Sequence, residues 1–280
     1  MKSTQVKVSI IMGTYNPDEK KLKRAVQSLI LQTVPEWELI LYDDGSDGQF
    51  VPLIRETAML DGRIRLLRGT ENRGLAAALN RCLLRARGKY IARMDDDDVS
   101  LPNRLERQLV FLESRPQYQW VGSGAELIDE NGVWGFQRMP EIPQPRDFLF
   151  HSPYIHPSVM FRKSALIRGG GYCTAKAFLQ VEDYELFFRL HRLGMRGYNL
   201  SEPLLRYWED YASYQKRTYR RRIREAKLRY HGFRGLGILN SGTFCYVLKP
   251  LLVGVIPPPV HHYIRRRVKA GPAASREKQT

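Results

Sequence analysis

Two alternating patterns of apolar residues fill the first hundred positions. Val6-Lys7-Val8-Ser9-Ile10-Ile11-Met12 is a β-branched run that stops at Gly13, and it predicts a buried strand. After Pro17, the residues Leu22, Ala25, Val26, Leu29 and Ile30 recur at helical spacing. Trp37 to Tyr42 predicts a second strand, stopped by Asp43-Asp44-Gly45-Ser46. A short helix around Phe50 to Leu60 and a strand at Ile64 to Leu67 follow. Leu75, Leu79, Cys82, Leu83 and Ala86 mark another helix, and Tyr90 to Met94 a fourth strand that runs into Asp95-Asp96-Asp97-Asp98. Strands and helices alternating over short connections predict an α/β fold: a mainly parallel sheet covered on both faces.

The rhythm changes after Pro102. Leu105, Leu109 and Leu112 support one more helix, and from Trp120 onward shorter mixed strands alternate with Gly/Pro-rich turns. A strand is expected at Ser158 to Phe161, an amphipathic helix from about Asp183 to Leu193, and strand again around 195–208. From Tyr214 the pattern becomes that of a strongly basic helix, followed by a Pro-broken apolar segment and a polar tail. No internal repeat is present.

Charge sharpens this division. The 280 residues carry a formal net charge of +16, yet residues 211–280 hold 16 of the 45 Lys and Arg and only two of the 29 acids, Glu225 and Glu277. Residues 1–210 are close to neutral, so the chain is read as a nearly neutral globular unit, 1–210, and a basic, partly apolar extension, 211–280. The composition, 43% hydrophobic and 26% charged, is that of a globular protein and not of a disordered one. Cys82, Cys173 and Cys245 lie too far apart for a disulfide framework or a CxxC zinc site. Met1-Lys2-Ser3-Thr4 leads straight into a strand and does not read as a signal peptide. The longest apolar stretch, Phe244 to Val260, is interrupted by Lys249, Pro250 and Pro257-Pro258-Pro259, short of the roughly 20 residues a spanning helix needs.

Polar residues gather just past the carboxyl ends of three predicted strands: Thr14-Tyr15-Asn16, Asp43-Asp44 and Asp95 to Asp98. In an open parallel sheet the ligand crevice lies outside those ends. Such residues also terminate strands without binding anything, but three clusters at equivalent positions argue for a site. Four adjacent carboxylates repel one another unless a cation or solvent screens them. In extended backbone Asp95 and Asp97 share one side, and Asp96 and Asp98 the other. Two same-side carboxylates form a partial shell for a hard divalent cation, leaving positions for diphosphate oxygens and water.

These residues carry a resemblance. Val8-Ser9-Ile10-Ile11-Met12-Gly13-Thr14-Tyr15-Asn16, Tyr42-Asp43-Asp44-Gly45-Ser46, Asn72-Arg73-Gly74-Leu75 and Ala92-Arg93-Met94-Asp95-Asp96-Asp97-Asp98 resemble the ordered signature blocks of the family-2 glycosyltransferases, which have the glycosyltransferase A-type fold. Downstream, His156-Pro157-Ser158-Val159-Met160-Phe161-Arg162, Gly170-Gly171-Tyr172 and Glu182-Asp183-Tyr184-Glu185-Leu186 continue the match, which covers about residues 5–210.

The resemblance implies a nucleotide-binding half, about 1–100, and an acceptor half, about 101–210. Asp43 would bind the nucleotide base, with Asp44 beside it; the competing reading of Asp43 is an Asx turn into Gly45-Ser46. Thr14, Tyr15 and Asn16 would line the same pocket, Tyr15 either stacking on the base or packing. The family's Asp-x-Asp element falls on Asp95 and Asp97, which would hold Mg²⁺ or Mn²⁺, and a shifted register would bring in Asp96. Arg73 is either a phosphate ligand or a surface residue, and His156 either reaches metal or phosphate or is a hydrogen-bonded structural histidine. Gly170-Gly171 would let backbone approach the sugar, or form a plain turn. Asp183 matches the family's general base and Glu182 an acceptor-positioning residue; the plain reading of both is acids at a helix N-terminus. The implied reaction is an inverting, single displacement from a nucleotide-diphosphate sugar to a glycan acceptor, lipid-linked, in bacterial surface polysaccharide assembly. The expected location is the cytoplasmic face of the plasma membrane.

The basic extension admits three readings: attachment to an anionic membrane surface, nucleic-acid binding, or a solvated helix. The absence of a nucleic-acid module and the Pro-broken apolar segment favour the membrane. A nucleotidyltransferase on a similar sheet would need a glycine-rich phosphate loop with a basic residue, which Gly13-Thr14-Tyr15-Asn16-Pro17 does not supply. A non-catalytic basic adaptor is the remaining alternative, and the intact Asp97 and Asp183 speak against it.

Overall fold

The computed structural model describes residues 5–215 and 218–270. The first half runs β1 (Val8–Thr14), α1 (Glu19–Ile30), β2 (Trp37–Asp43), α2 (Val51–Ala58), β3 (Ile64–Arg68), α3 (Leu75–Arg85) and β4 (Tyr90–Arg93). Then come β5 (Val99–Ser100), α4 (Arg104–Ser114), β6 (Trp120–Asp129), β7 (Gly132–Gln137), β8 (Met160–Arg162), α5 (Lys163–Arg168), α6 (Glu182–Arg192) and β9 (Gly197–Trp208). Four helices close the chain: α7 (Tyr211–Gln215), α8 (Tyr219–Gly235), α9 (Phe244–Gly254) and α10 (Pro258–Lys269).

The strands form one sheet in the order β3-β2-β1-β4-β8-β6-β9-β5, with β7 paired antiparallel to β6 outside this order. β3, β2, β1 and β4 are parallel, as the pattern predicts. At β8 the direction reverses. The expected strand at 158–161 is shifted to Met160–Arg162 and runs antiparallel to β4, because Pro157 sits in a 3₁₀ turn over His156–Ser158 that delays it. The two-residue β5 was not expected; it exists only because β9 lies beside it.

Period-2 alternation in β1 sorts its side chains onto two faces. Ile11 joins Ile40, Leu79, Ile91, Trp120 and Phe187 in one buried cluster, under α3 and α6. Val8, Ile10 and Met12 join Leu22, Val26, Leu39 and Leu105 in the other, under α1 and α4. The first cluster extends into the basic segment, since Leu228, Phe233 and Val247 belong to it. α8 lies so close on α6 that a Cβ on Gly232 would come within 2.7 Å of the Phe188 ring. Arg229, buried, donates to the carbonyl oxygens of Leu149 at 2.7 Å, Phe150 at 3.2 Å and Tyr246 at 3.3 Å, and pairs with Glu225 at 3.0 Å. The boundary in charge near residue 210 is therefore not a boundary in packing.

Candidate active site

From β1 the chain winds outward through β2 and β3, then returns to place β4 on the opposite side of β1. The crevice of such a sheet opens at that reversal, between the carboxyl ends of β1 and β4. Thr14 and the four aspartates stand there. The Thr14 hydroxyl donates to Asp96 Oδ2 at 2.6 Å, joining the two strand ends. The loop after β2 is tied in as well: Asp44 N–H donates to the Thr14 carbonyl at 2.9 Å. Asn16, held at a left-handed φ of 47°, donates its backbone N–H to Ser46 Oγ at 3.0 Å and exchanges side-chain bonds with Asp47. Tyr15 is 47% exposed, so its ring is not packed in the core.

Asp43 and Asp44 are both buried, and their partners differ. Asp43 Oδ1 accepts the Ser46 N–H at 2.8 Å, the Asx turn, while Oδ2 pairs with Arg68 Nε at 3.0 Å. Asp44 accepts the N–H groups of Arg73 and Gly74, the latter at 2.7 Å, and so holds the start of α3. Burial pushes its carboxyl up. Arg73 turns its guanidinium to Glu71 at 2.7 Å, on an exposed loop.

In the acidic run, Asp95, Asp97 and Asp98 each place a carboxylate oxygen within 4.8 Å of the others. Strict alternation would have put Asp98 with Asp96. The chain bends at Asp96 and Asp97 instead, leaving only Asp96 turned to Thr14. Asp98 is fully buried; its Oδ1 accepts the Trp208 N–H at 2.8 Å and its Oδ2 has no partner among the described residues. Burial, reinforced by the neighbouring carboxylates, pushes Asp96 up to about 6 and Asp97 up to about 7, and raises Asp98 well above the usual range. An all-oxygen donor set that resists ionising alone, with one orphaned buried oxygen, fits a hard divalent cation.

Two buried arginines underlie the cluster. Arg93 pairs with Asp95, and its Nε and Nη1 have no partner among the described residues. Arg104 donates to the Arg93 carbonyl at 2.6 Å, and burial pushes its guanidinium down to about 9. Sequence reasoning assigned neither a role. The signal for Arg93 was a charged residue between Ala92 and Met94 in an otherwise apolar strand. Trp208 was missed too: it binds Asp98 and carries the Lys21 ammonium 4.1 Å above its ring.

The facing wall is the start of α6. Glu182 is buried, and burial followed by the neighbouring Asp183 pushes its carboxyl up to about 7. Asp183, half-buried, is also raised by burial, with Arg221 of α8 the largest opposing influence. Gly170 and Gly171 take left-handed φ values of 84° and 69°. A Cβ at Gly171 would lie 2.7 Å from Asn80 Oδ1, which accepts the Tyr172 N–H, so no larger residue fits this turn. His156 is buried with its Nε2 2.9 Å from the Tyr172 hydroxyl, and burial holds its imidazole well below the usual range. In this structure His156 is therefore buried and hydrogen-bonded to Tyr172. A cavity of about 330 Å³ lies beside Glu182, lined also by Asn72, Gly74, Leu75, Phe178 and Arg224.

The sequence profile described as "Glycosyl transferase family 2" matches residues 9–170. This chain belongs to glycosyl transferase family 2. Within the family it is similar to the putative glycosyltransferase EpsE of Bacillus subtilis, with 39% identity over 94% of each chain. It is also similar to the UDP-Gal:alpha-D-GlcNAc-diphosphoundecaprenol beta-1,3-galactosyltransferase of Escherichia coli, with 27% identity over 94% of this chain and 96% of that one. Among solved structures, the mannosyltransferase PcManGT of Pyrobaculum calidifontis in complex with GDP-Man and Mn²⁺ superposes with a TM-score of 0.59 and 18% identity, covering 95% of this chain and 81% of that chain. That likeness establishes the shared fold. The family-2 enzyme described here is a glycosyltransferase on the expected mixed α/β architecture, with a helical C-terminal region.

Proposed function

We propose that this glycosyltransferase is inverting and divalent-metal-dependent, and that it moves a sugar from a nucleoside-diphosphate donor to a glycan acceptor carried on a lipid, in surface polysaccharide assembly. The observation that carries the reading is the convergence of Asp95, Asp97 and Asp98 at the β1/β4 reversal. The donor complex of the mannosyltransferase and the name of the E. coli relative are consistent with it.

In this reading Asp95 and Asp97 hold Mg²⁺ or Mn²⁺, with Asp98 behind them. The bound ion would neutralise charge developing on the departing diphosphate. Thr14, Tyr15, Asn16 and Asp43 would border the nucleotide, with Asp44 and Arg73 fixing the loop beyond it. Asp183 takes the proton of the acceptor hydroxyl as its oxygen attacks the anomeric carbon. The new C–O bond forms on the face opposite the departing diphosphate, which leaves with the electron pair of the bond it breaks. A carboxyl raised by burial, as Asp183 is, suits a base working near neutral pH.

The same reading places the enzyme on the cytoplasmic face of an anionic membrane. No single helix among the described residues is long and apolar enough to cross one. α9 and α10 meet at a 119° bend, and Leu252 on α9, Val255 at the bend and Val268 on α10 are 70%, 75% and 72% exposed. An exposed apolar elbow on a segment this basic suits an interfacial position.

The test is nucleotide release from a panel of UDP-, GDP- and dTDP-sugars with Mn²⁺ or Mg²⁺. Asp97→Asn and Asp183→Asn are each expected to lower turnover by roughly 10²–10⁴-fold. Full activity in either variant removes that residue from the mechanism.

A further inference from the structure

The matched family profile ends at residue 170, so α6 and α8 lie beyond it. α8 nonetheless reaches the cavity beside Glu182, through Arg224. Arg221 stands one turn earlier on the same helix face, and the charge it presents acts on both Glu182 and Asp183. Two other cations of this helix have an acidic partner: Arg222 and Arg229 both pair with Glu225. Arg224 makes one long contact, Nη1 to the Leu179 carbonyl at 3.4 Å, and both Arg221 and Arg224 are half-buried. Two half-buried guanidiniums, neither paired to a carboxylate among the described residues, thus stand next to the proposed base: Arg224 lines the cavity, and Arg221 acts on its Glu182 and on Asp183.

Their placement is fixed. Leu228, one turn beyond Arg224, is buried in the shared core, and Gly232 seats α8 against Phe188 of α6, the helix that begins with Glu182. None of the residues lining the cavity belongs to the Asp95–Asp98 cluster. Its volume of about 330 Å³ sits at the lower end of ligand pockets, roughly 300–1,000 Å³. Leu75, Phe178 and Leu179 supply apolar wall and Arg224, with Arg221 one turn before it, supplies a planar fork that matches phosphate oxygens two at a time.

We propose that Arg221 and Arg224 form a subsite for a diphosphate ester, placed to receive the phosphates of the acceptor while the donor's diphosphate occupies the aspartate cluster. The subsite rests on the glycosyltransferase reading above and adds to it the group by which the acceptor is recognised. A lipid-borne diphosphate would reach it from α8, the helix that leads into the apolar elbow of α9 and α10.

The probe is farnesyl diphosphate, titrated calorimetrically into the full chain with Mn²⁺ and saturating UDP or, separately, GDP. Farnesol is the uncharged control. Binding of the diphosphate and not of farnesol is expected, weakened at least about tenfold in Arg221→Gln/Arg224→Gln and partly restored by the double Lys variant. Nucleotide affinity and melting temperature should stay at the wild-type values. Three results would overturn the subsite: competition between nucleotide and farnesyl diphosphate in the wild type, equal binding by the double Gln variant, or a parallel fall in nucleotide affinity. The last assigns the cations to the donor. Loss of all sugar-nucleotide turnover in the wild type refutes the proposed function, whereas this titration reads the subsite directly.

Discussion

Asp97 exacts a cost in stability that its proposed role explains, and Asp97→Asn exposes it. Burial and the carboxylates of Asp95 and Asp96 push the Asp97 carboxyl from 3.8 up to about 7. A rise of three units corresponds to a ceiling of about 4 kcal/mol, at about 1.4 kcal/mol per unit. Solvent screening at a half-buried position leaves about 1–2 kcal/mol. The sign follows from linkage. The folded-state value lies above the unfolded one, so the folded protein binds the proton more tightly, and stability falls as pH rises from about 4 through 7. Asn cannot ionise and escapes that loss. In EDTA at pH 8 the variant should melt about 2–8 °C above the wild type, taking about 2–4 °C per kcal/mol for a chain of this size. At pH 5 the gap should narrow. Adding Mn²⁺ at pH 8 should raise the melting temperature of the wild type and leave the variant nearly unmoved. Scanning calorimetry at both pH values reads all of this. An Asn variant that melts at or below the wild type at pH 8 without metal would refute the repulsion argument.

Two further outcomes test the C-terminal helices. Gly232→Ala drives a methyl into the Phe188 ring and should cost about 1–3 kcal/mol, less about 1 kcal/mol regained in helix propensity, read by urea denaturation. A variant at least as stable as the wild type would show that α8 has room to shift. Leu252→Asp/Val255→Asp alters two exposed residues and should leave the melting temperature unchanged while lowering partition into anionic vesicles more than tenfold, since each buried aliphatic side chain contributes about 1.5–3 kcal/mol. Unchanged vesicle binding removes the elbow from the membrane reading.

The parallel half of the fold was legible because its strands are buried on both faces and read as unbroken apolar runs, as in Ile10-Ile11-Met12. The aspartate cluster was legible because it ends such a run. The inward turn of Asp98 was not, since a bend at Asp96–Asp97 depends on Thr14 and Trp208, one 82 and the other 110 residues away in sequence from the aspartates they bind. The reversal at β8 is set by pairing with β4 and β6, which no local pattern encodes. α8 shows the same limit. Nine Lys and Arg in residues 216–234 read as a face turned to an anionic membrane or to solvent, yet Arg229 is buried because carbonyls at 149, 150 and 246 converge on it.

That convergence bears on modularity. Segments after residue 210 look expendable by charge and by the extent of the family profile, and a chimera made by exchanging them would seem a natural way to alter acceptor preference. Removing α8 would strip Phe188 of its cover and leave the Leu149 and Phe150 carbonyls without the donors of Arg229. The unit of exchange in this enzyme therefore reaches back from α9 past the acids of α6 to the carbonyls of Leu149 and Phe150.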